Sequence, residues 1–302
     1  MYKGTEKGLA FPTSISLNNC ACHFSPGAGD EEKPRELKEG DVVHIDLGIQ
    51  VDGYCAQVAH TVQVTASGSL ADDKVGHLIV AAHNILHTAV RKLRPGANIY
   101  EVTEVIEKAA AHHGVNPVDG VLSHMLKRYI IDGFRCIPQK KEAEHMVHNY
   151  DFDLAQVWTL DIVMSTGKGK LKERDERPFI YKVALDSNYN VKLESAKELE
   201  KEIDTKYATF PFAIRNLETK KARLGLNEMI KNGAVIPYPV LYERDGEQLA
   251  HFKSTILITK KKIEVITGLK PQAGPALAPY TDEVVIAASK LPLILEDKKK
   301  KK

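Results

Sequence analysis

The chain has 302 residues, a formal net charge of +2, a hydrophobic fraction of 43% and a charged fraction of 27%. These are the proportions of a soluble globular protein, long enough for one large domain or two small ones with a substantial core. No apolar run approaches the ~18–20 residues that cross a bilayer, which excludes a membrane-spanning helix, and MYKGTEKG lacks the apolar stretch of a signal peptide, so an intracellular chain is expected.

Cys20, Cys22, Cys55 and Cys136 show no framework spacing and fit reduced thiols of a cytosolic or nuclear protein. Cys20, Cys22 and His23 form a C-x-C-H cluster that could hold zinc, although no second ligand cluster accompanies it.

GLAFPTSISLNNCACHF opens as an extended segment and runs into a turn-rich, charged loop. VVHIDLGIQV and YCAQVAHTVQV then alternate like strands on either side of Asp52-Gly53, which predicts a hairpin. Leu78, Ala82, Ile85, Ala89 and Leu93 mark a helix over roughly 72–93, stopped by Pro95-Gly96. Asn98 and Glu101 have capping-box spacing for a second helix carrying Val102, Val105, Ile106 and Ala109 and ending at Gly114. Residues 115–150 read as irregular, and VWTLDIVMSTGKG returns to a strand. From about 195 to 232 the pattern is helical: Ser195 and Glu198 could cap one helix with Ala196, Leu199, Ile203 and Tyr207 inward, and Ile214, Leu217 and Leu224 suggest another. IPYPVLYERDGEQLAHFKSTILI closes as a hairpin turning at Asp245-Gly246. This mixture of segregated strands and helices describes an α+β domain.

Inside the last strand, AHFKSTILI, stands Lys253. Burying an unpaired ammonium costs several kcal/mol or more, so this lysine needs carboxylate partners, an exit to solvent or a function. Asp46, Asp161, His23 and His124 are likewise polar groups set in strands or ordered loops, and each is open to two readings, a site or a structural hydrogen bond.

The motifs FPTSIS, CHFSP, DLG with VDG, VAHT, LSH, IDG, KKAR and HFKSTIL lie in order over about residues 8–290. In this the chain resembles the type 2 methionine aminopeptidases of peptidase family M24. It resembles still more their non-peptidase relatives, the proliferation-associated or ErbB3-binding proteins. The resemblance implies a pita-bread, creatinase/aminopeptidase-like fold over residues 1–290, a type 2 helical insertion at about 186–236, and a basic disordered tail over 291–302. It also implies N-terminal helices before GLAFPTS that this sequence lacks.

The peptidases hold two divalent ions through two aspartates, a histidine and two glutamates. By resemblance the first aspartate is Asp46, but the bridging aspartate eleven residues on is Gln57. The histidine is His124, the first glutamate is Asp161, and the bridging glutamate is Lys253. The outer catalytic histidine is His23, and a second pocket histidine is replaced by Asp132. Hard divalent ions need several anionic oxygens and a bridging carboxylate, whereas an amide bridges poorly and an ammonium has no lone pair. The expected outcome is a vestigial pocket with no catalytic residues, no metal and no cofactor, in which Lys253 occupies a vacated metal position and pairs with Asp46 and Asp161. The alternatives are Lys253 snorkelling to solvent and a single metal on His124 and Asp161.

If chemistry is lost, function moves to the surface. The relatives bind RNA and ribosomes and act in ribosome biogenesis, translation and growth control, in cytoplasm, nucleus and nucleolus. Ribosome and rRNA are therefore the implied partners, with signalling proteins as further candidates. The RNA-binding candidates are the lysine clusters Lys168, Lys170 and Lys172; Lys220, Lys221 and Arg223; Lys260, Lys261 and Lys262; and Lys298, Lys299, Lys300, Lys301 and Lys302. Two other readings are a pseudo-enzyme that holds a nascent Met-peptide without cleaving it, and a residual aminopeptidase.

Overall fold

The computed structural model describes residues 4–27, 30, 35–141 and 147–295. In chain order, β1 (Lys7–Leu17), β2 (Cys20–Cys22), β3 (Val42–Val51) and β4 (Tyr54–Gln63) precede α1 (Lys74–Ala89) and α2 (Ile99–His112). Four strands follow: β5 (Asn116–Pro117), β6 (Leu122–Leu126), β7 (Cys136–Pro138) and β8 (Val157–Ser165). Next come β9 (Lys172–Glu173), β10 (Ile180–Val183), α3 (Glu194–Lys206), β11 (Phe212–Ala213), α4 (Ala222–Lys231) and β12 (Val235–Tyr238). The described chain closes with β13 (Leu241–Tyr242), β14 (Leu249–Ile258), β15 (Ile263–Val265) and α5 (Glu283–Lys290).

The expected hairpin is β3–β4, paired from Val42–Gln63 to Val51–Tyr54. Asp52 (φ 52°) and Gly53 (φ 78°) both adopt left-handed backbone, the conformation whose twist suits a two-residue connection. This hairpin lies within a nine-stranded sheet ordered β1-β3-β4-β14-β8-β6-β7, with β15 on β14 and β5 on β8. Its even-numbered residues Trp158, Leu160 and Ile162 on β8, and Phe252 and Ile256 on β14, join Leu78, Ala82 and Ile85 of α1 and Val102, Val105 and Ile106 of α2 in the main core. With the helices holding one face, the odd-numbered residues of β8 and β14 point the other way.

Both helix starts follow the sequence. The Asp73 carboxylate accepts from Val75 N and Gly76 N, and Asn98 with Glu101 forms the capping box that their spacing predicts.

Four expectations are corrected. Ser195 does not cap α3: Leu193 holds that position without a side-chain cap, and the Glu228 carboxylate, from α4, accepts the Lys192 and Leu193 N–H groups instead. The second insertion helix begins only at Ala222; residues 214–216 are a 3-10 turn, and Leu224 is exposed while Leu226 and Met229 pack inward. The stretch 115–150 is not wholly irregular, because Leu122–Leu126 pairs with β8 and Cys136–Pro138 pairs with β6. Finally, Asp245-Gly246 turns the chain, yet its flanking strands do not pair as a hairpin. β13 pairs with β2 and β9, while β14 inserts between β4 and β8. Buried strands take their partners from the sheet that surrounds them, not from the nearest segment in sequence.

A small sheet, β11-β10-β12, packs its Tyr181, Phe212 and Val235 with Leu199, Ile203, Leu226 and Met229 of α3 and α4.

His44 on β3 is buried; its Nε2 donates to the Asn18 carbonyl at 3.1 Å and its Nδ1 lies 3.1 Å from Thr61 Oγ1. Burial, the dominant cause, lowers its pKa to about 4. The unfolded chain, with an ordinary imidazole, then binds more protons than the folded one, so stability falls as pH drops from about 6.5 toward 4. Urea unfolding at pH 7.5, 6 and 5 should show this decline. His44→Gln should flatten it by on the order of 1–2 kcal/mol at pH 5; an unchanged slope would place the acid sensitivity elsewhere.

Candidate functional site

Four strands align one row of residues across the open face of the sheet. Asp46 on β3 pairs with Ala59 on β4, Ala59 with Lys253 on β14, and Lys253 with Asp161 on β8. Directly paired residues share a face, and Ala59 offers only a methyl group between the aspartate and the lysine. The lysine therefore reaches across β4: its Nζ donates to Asp46 Oδ2 at 2.7 Å and lies 3.1 Å from Asp161 Oδ2. The other oxygen of Asp161 lies 2.7 Å from His251 Nε2, and the Phe11 ring centroid is 5.6 Å from the ammonium.

Gly48 makes the neighbouring contact possible, since a Cβ there would come within 2.9 Å of the Phe11 amide nitrogen and 3.1 Å of Gln57 Cγ. Gln57, paired with Gly48, accepts from Thr159 Oγ1 at 3.1 Å through its amide oxygen.

Lys253 is 9% exposed. Burial is the strongest influence on it and favours the neutral amine, but Asp161 and then Asp46 together outweigh burial and raise its pKa. Asp161 answers in the opposite direction. Burial would raise its pKa, yet Lys253 and His251 hold it well below the usual carboxylate range. The ammonium and the Asp161 carboxylate thus stabilise one another's charged forms.

All seven pocket residues expected from the sequence, His23, Asp46, Gln57, His124, Asp132, Asp161 and Lys253, line a single cavity of about 430 Å³. His23 sits in left-handed backbone at φ 65°. Its Nδ1 is 2.8 Å from the Pro239 carbonyl, and burial lowers its pKa to about 4. His124 Nδ1 is held 3.0 Å from the Gly133 carbonyl, and Asp132 forms an ion pair with Lys182 of β10. Sequence reasoning missed His251, Thr159 and Tyr238, which line the same cavity. His251 stands two residues before Lys253, and the period-two rule for strands was the signal that could have found it.

Two divalent ions do not fit this donor set. The lysine ammonium occupies the space between the two aspartates, and Gln57 offers an amide where a carboxylate would be needed to bridge two ions. Among the described residues no group of three or more His, Cys, Asp and Glu is placed to hold a metal. The C-x-C-H cluster fares no better, because burial, with Cys20 and Asp46 adding to it, drives the Cys22 thiol far toward its protonated form.

The lysine candidates stand on separate elements. Lys168, Lys170 and Lys172 surround one cavity of about 390 Å³ with Arg174 and Arg244. Lys220, Lys221 and Arg223 lie at the start of α4, with Arg223 paired to Asp30, and Lys260, Lys261 and Lys262 form the exposed turn between β14 and β15. Lys298–Lys302, and with them most of the expected 291–302 tail, lie outside the described residues.

Removing the ammonium while keeping both carboxylates should be severe: Lys253→Met should lose about 3–5 kcal/mol. Adding Asp46→Asn should recover part of that loss, with a coupling energy visible in a double-mutant cycle. A Lys253→Met protein with the wild-type urea midpoint would mean that the ammonium is not held in the pocket.

Comparison with known proteins follows this geometry. The model of metallopeptidase family M24 matches residues 1–153. The chain is 41% identical to proliferation-associated protein A of Dictyostelium discoideum over 99% of its own length and 78% of that protein's. It is 40% identical to ERBB-3 binding protein 1 of Solanum tuberosum over 88% of this chain and 69% of that protein. The solved structure of a thermophilic Arx1 superposes with a TM-score of 0.86 at 23% identity, covering 97% of this chain and 85% of that one. The chain belongs to metallopeptidase family M24, has its pita-bread fold, and groups with the proliferation-associated and ERBB-3 binding proteins.

Proposed function

We propose that this protein is a catalytically inactive aminopeptidase homologue that acts as an RNA- and ribosome-binding factor in ribosome biogenesis, translation and growth control, in cytoplasm and nucleus. The observation that carries the inactivity is the Lys253 ammonium, 2.7 Å from Asp46 and 3.1 Å from Asp161, where a two-metal enzyme needs cations of its own. Calorimetric titration of the chelator-stripped chain with Mn²⁺ or Co²⁺ tests this. The expected wild-type result is that two tight equivalents are absent, while Lys253→Glu combined with Gln57→Asp gains metal affinity. Two tight equivalents in the wild type, or no gain in the double variant, would overturn the reading.

Support for the surface role comes from the kinship with proliferation-associated and ERBB-3 binding proteins and from Lys168, Lys170 and Lys172, which share one cavity with Arg174 and Arg244 and with the acidic Glu173, Glu243 and Asp245. Contacts of this kind engage phosphates, depend little on sequence and weaken steeply with salt. Cosedimentation with ribosomes should fall by roughly 10³-fold or more in affinity between 50 and 200 mM salt if six or more phosphates are engaged. Retention that does not change with salt would sink the phosphate mechanism.

The retained cavity favours a second reading. Its walls include Phe11, Tyr238 and Leu241 beside Asp46, whose Oδ1 is buried and unpartnered, a combination suited to an apolar N-terminal side chain and its ammonium. Saturable binding of a Met-initiated peptide, abolished by Asp46→Asn, would establish this role; absence of saturable binding would remove it.

A further inference from the structure

Helix α1 carries titratable groups that the pocket around Lys253 does not use. His83 and His87 stand one helical turn apart and so leave the helix on the same side. Their Nε2 atoms are 3.0 Å apart, with ring centroids separated by 4.3 Å and planes tilted by 55°. Together with His60 they line a cavity of about 290 Å³ whose walls also include Phe252, Lys253 and the loop after β15 that carries Thr267 and Lys270. Phe252 sets the His83 ring, edge-on at 5.4 Å between centroids.

The separation has a chemical meaning. Two imidazole nitrogens that bind one ion at ~2.0–2.1 Å are about 3.0 Å apart when the angle between the bonds is near ~95°, and about 3.3 Å apart at the tetrahedral angle. The pair therefore suits neighbouring positions of a tetragonal or octahedral ion. Both rings are also ready as ligands. Burial first, then the neighbouring His87 and His60, lowers the pKa of His83 to about 4, and partial loss of hydration followed by Arg91 lowers that of the solvent-exposed His87. Neutral imidazoles remain at pH 7, and without a cation one ring must donate its N–H to the other.

We propose that His83 and His87 form a chelate for an imidazole-preferring divalent transition ion, Cu²⁺ ahead of Ni²⁺ and Zn²⁺. The ion takes the place of the hydrogen shared between the two Nε2 atoms, and the ring that gives it up regains a proton from solvent at Nδ1, so that both ligands stay neutral. His87 is exposed and His83 half-buried, which leaves a path of entry and room for water in the remaining coordination positions. Two cations oppose tight binding: Arg91, whose guanidinium is bonded to the Leu291 carbonyl at 2.6 Å, and Lys270 at the rim of the cavity. Hard ions such as Mg²⁺ and Mn²⁺ prefer oxygen donors and are not the ligands of this site.

The test is titration of the chelator-stripped full chain with Cu²⁺ at pH 7.5, followed by calorimetry and by electron paramagnetic resonance. One equivalent whose spectrum shows two nitrogen donors is expected. Loss of a ligand costs at least what loss of an outer hydrogen-bond partner does, so His83→Ala and His87→Gln should each weaken the dissociation constant by roughly 10–100-fold or more. His124→Ala, in the other pocket, should leave it unchanged. Because His87 is exposed, His87→Gln keeps the fold, and the rise in melting temperature on saturation with Ni²⁺ should disappear in that variant. Cu²⁺ binding that survives both α1 substitutions, or that needs millimolar ion in the wild type, would overturn the proposal and leave the histidines as a hydrogen-bonded pair.

Discussion

The ion cluster of Asp46, Lys253 and Asp161 sets the terms for the centre of this molecule. At the 2.7 and 3.1 Å separations found here, each attraction is of order 5 kcal/mol at the effective dielectric of protein sites, and dehydration of the three charges cancels much of it. The net value of the cluster is smaller than the penalty for breaking it. The ammonium is tolerable because both carboxylates are present, and each carboxylate because the ammonium is, and this coupling makes β3, β14 and β8 depend on one another through side chains as well as through the backbone ladder.

The division of labour across the sheet follows from strand periodicity. One face of β8 and β14 is filled by Trp158, Leu160, Ile162, Phe252 and Ile256 against the helices. The other carries Thr159, Asp161, His251 and Lys253 into the cavity. A strand buried on both faces can keep polar groups only where they satisfy one another, and the thread of contacts from His251 through Asp161 and Lys253 to Asp46 meets that requirement except at Asp46 Oδ1. The frame of a metallopeptidase is thus kept, and its polar row sets an ammonium between two carboxylates.

That ammonium bears on chemistry, not on kinship. Membership of family M24 describes how the backbone is arranged and where a pocket must lie; the reaction depends on which atoms face that pocket. Here an amide and an ammonium face the pocket beside the carboxylates, and no rearrangement of rotamers gives a lysine nitrogen in its charged form a lone pair.

Much of this was legible in the residues. Alternation and the Asp52-Gly53 pair determined the β3–β4 hairpin, the spacing of Asn98 and Glu101 determined the start of α2, and a lysine inside AHFKSTILI announced a compensated charge, because these are local rules or burial costs that hold in any fold. The ordered motifs pointed to the family, and the seven residues they picked out line one cavity. Tertiary structure alone decided that Lys253 meets two carboxylates at once, that His251 joins them, that Glu228 rather than Ser195 serves the start of α3, and that β14 passes between β4 and β8 instead of folding back on β13. Each of those outcomes depends on strand order and on contacts between residues as many as 207 positions apart, and a register between distant segments leaves no periodic trace along the chain.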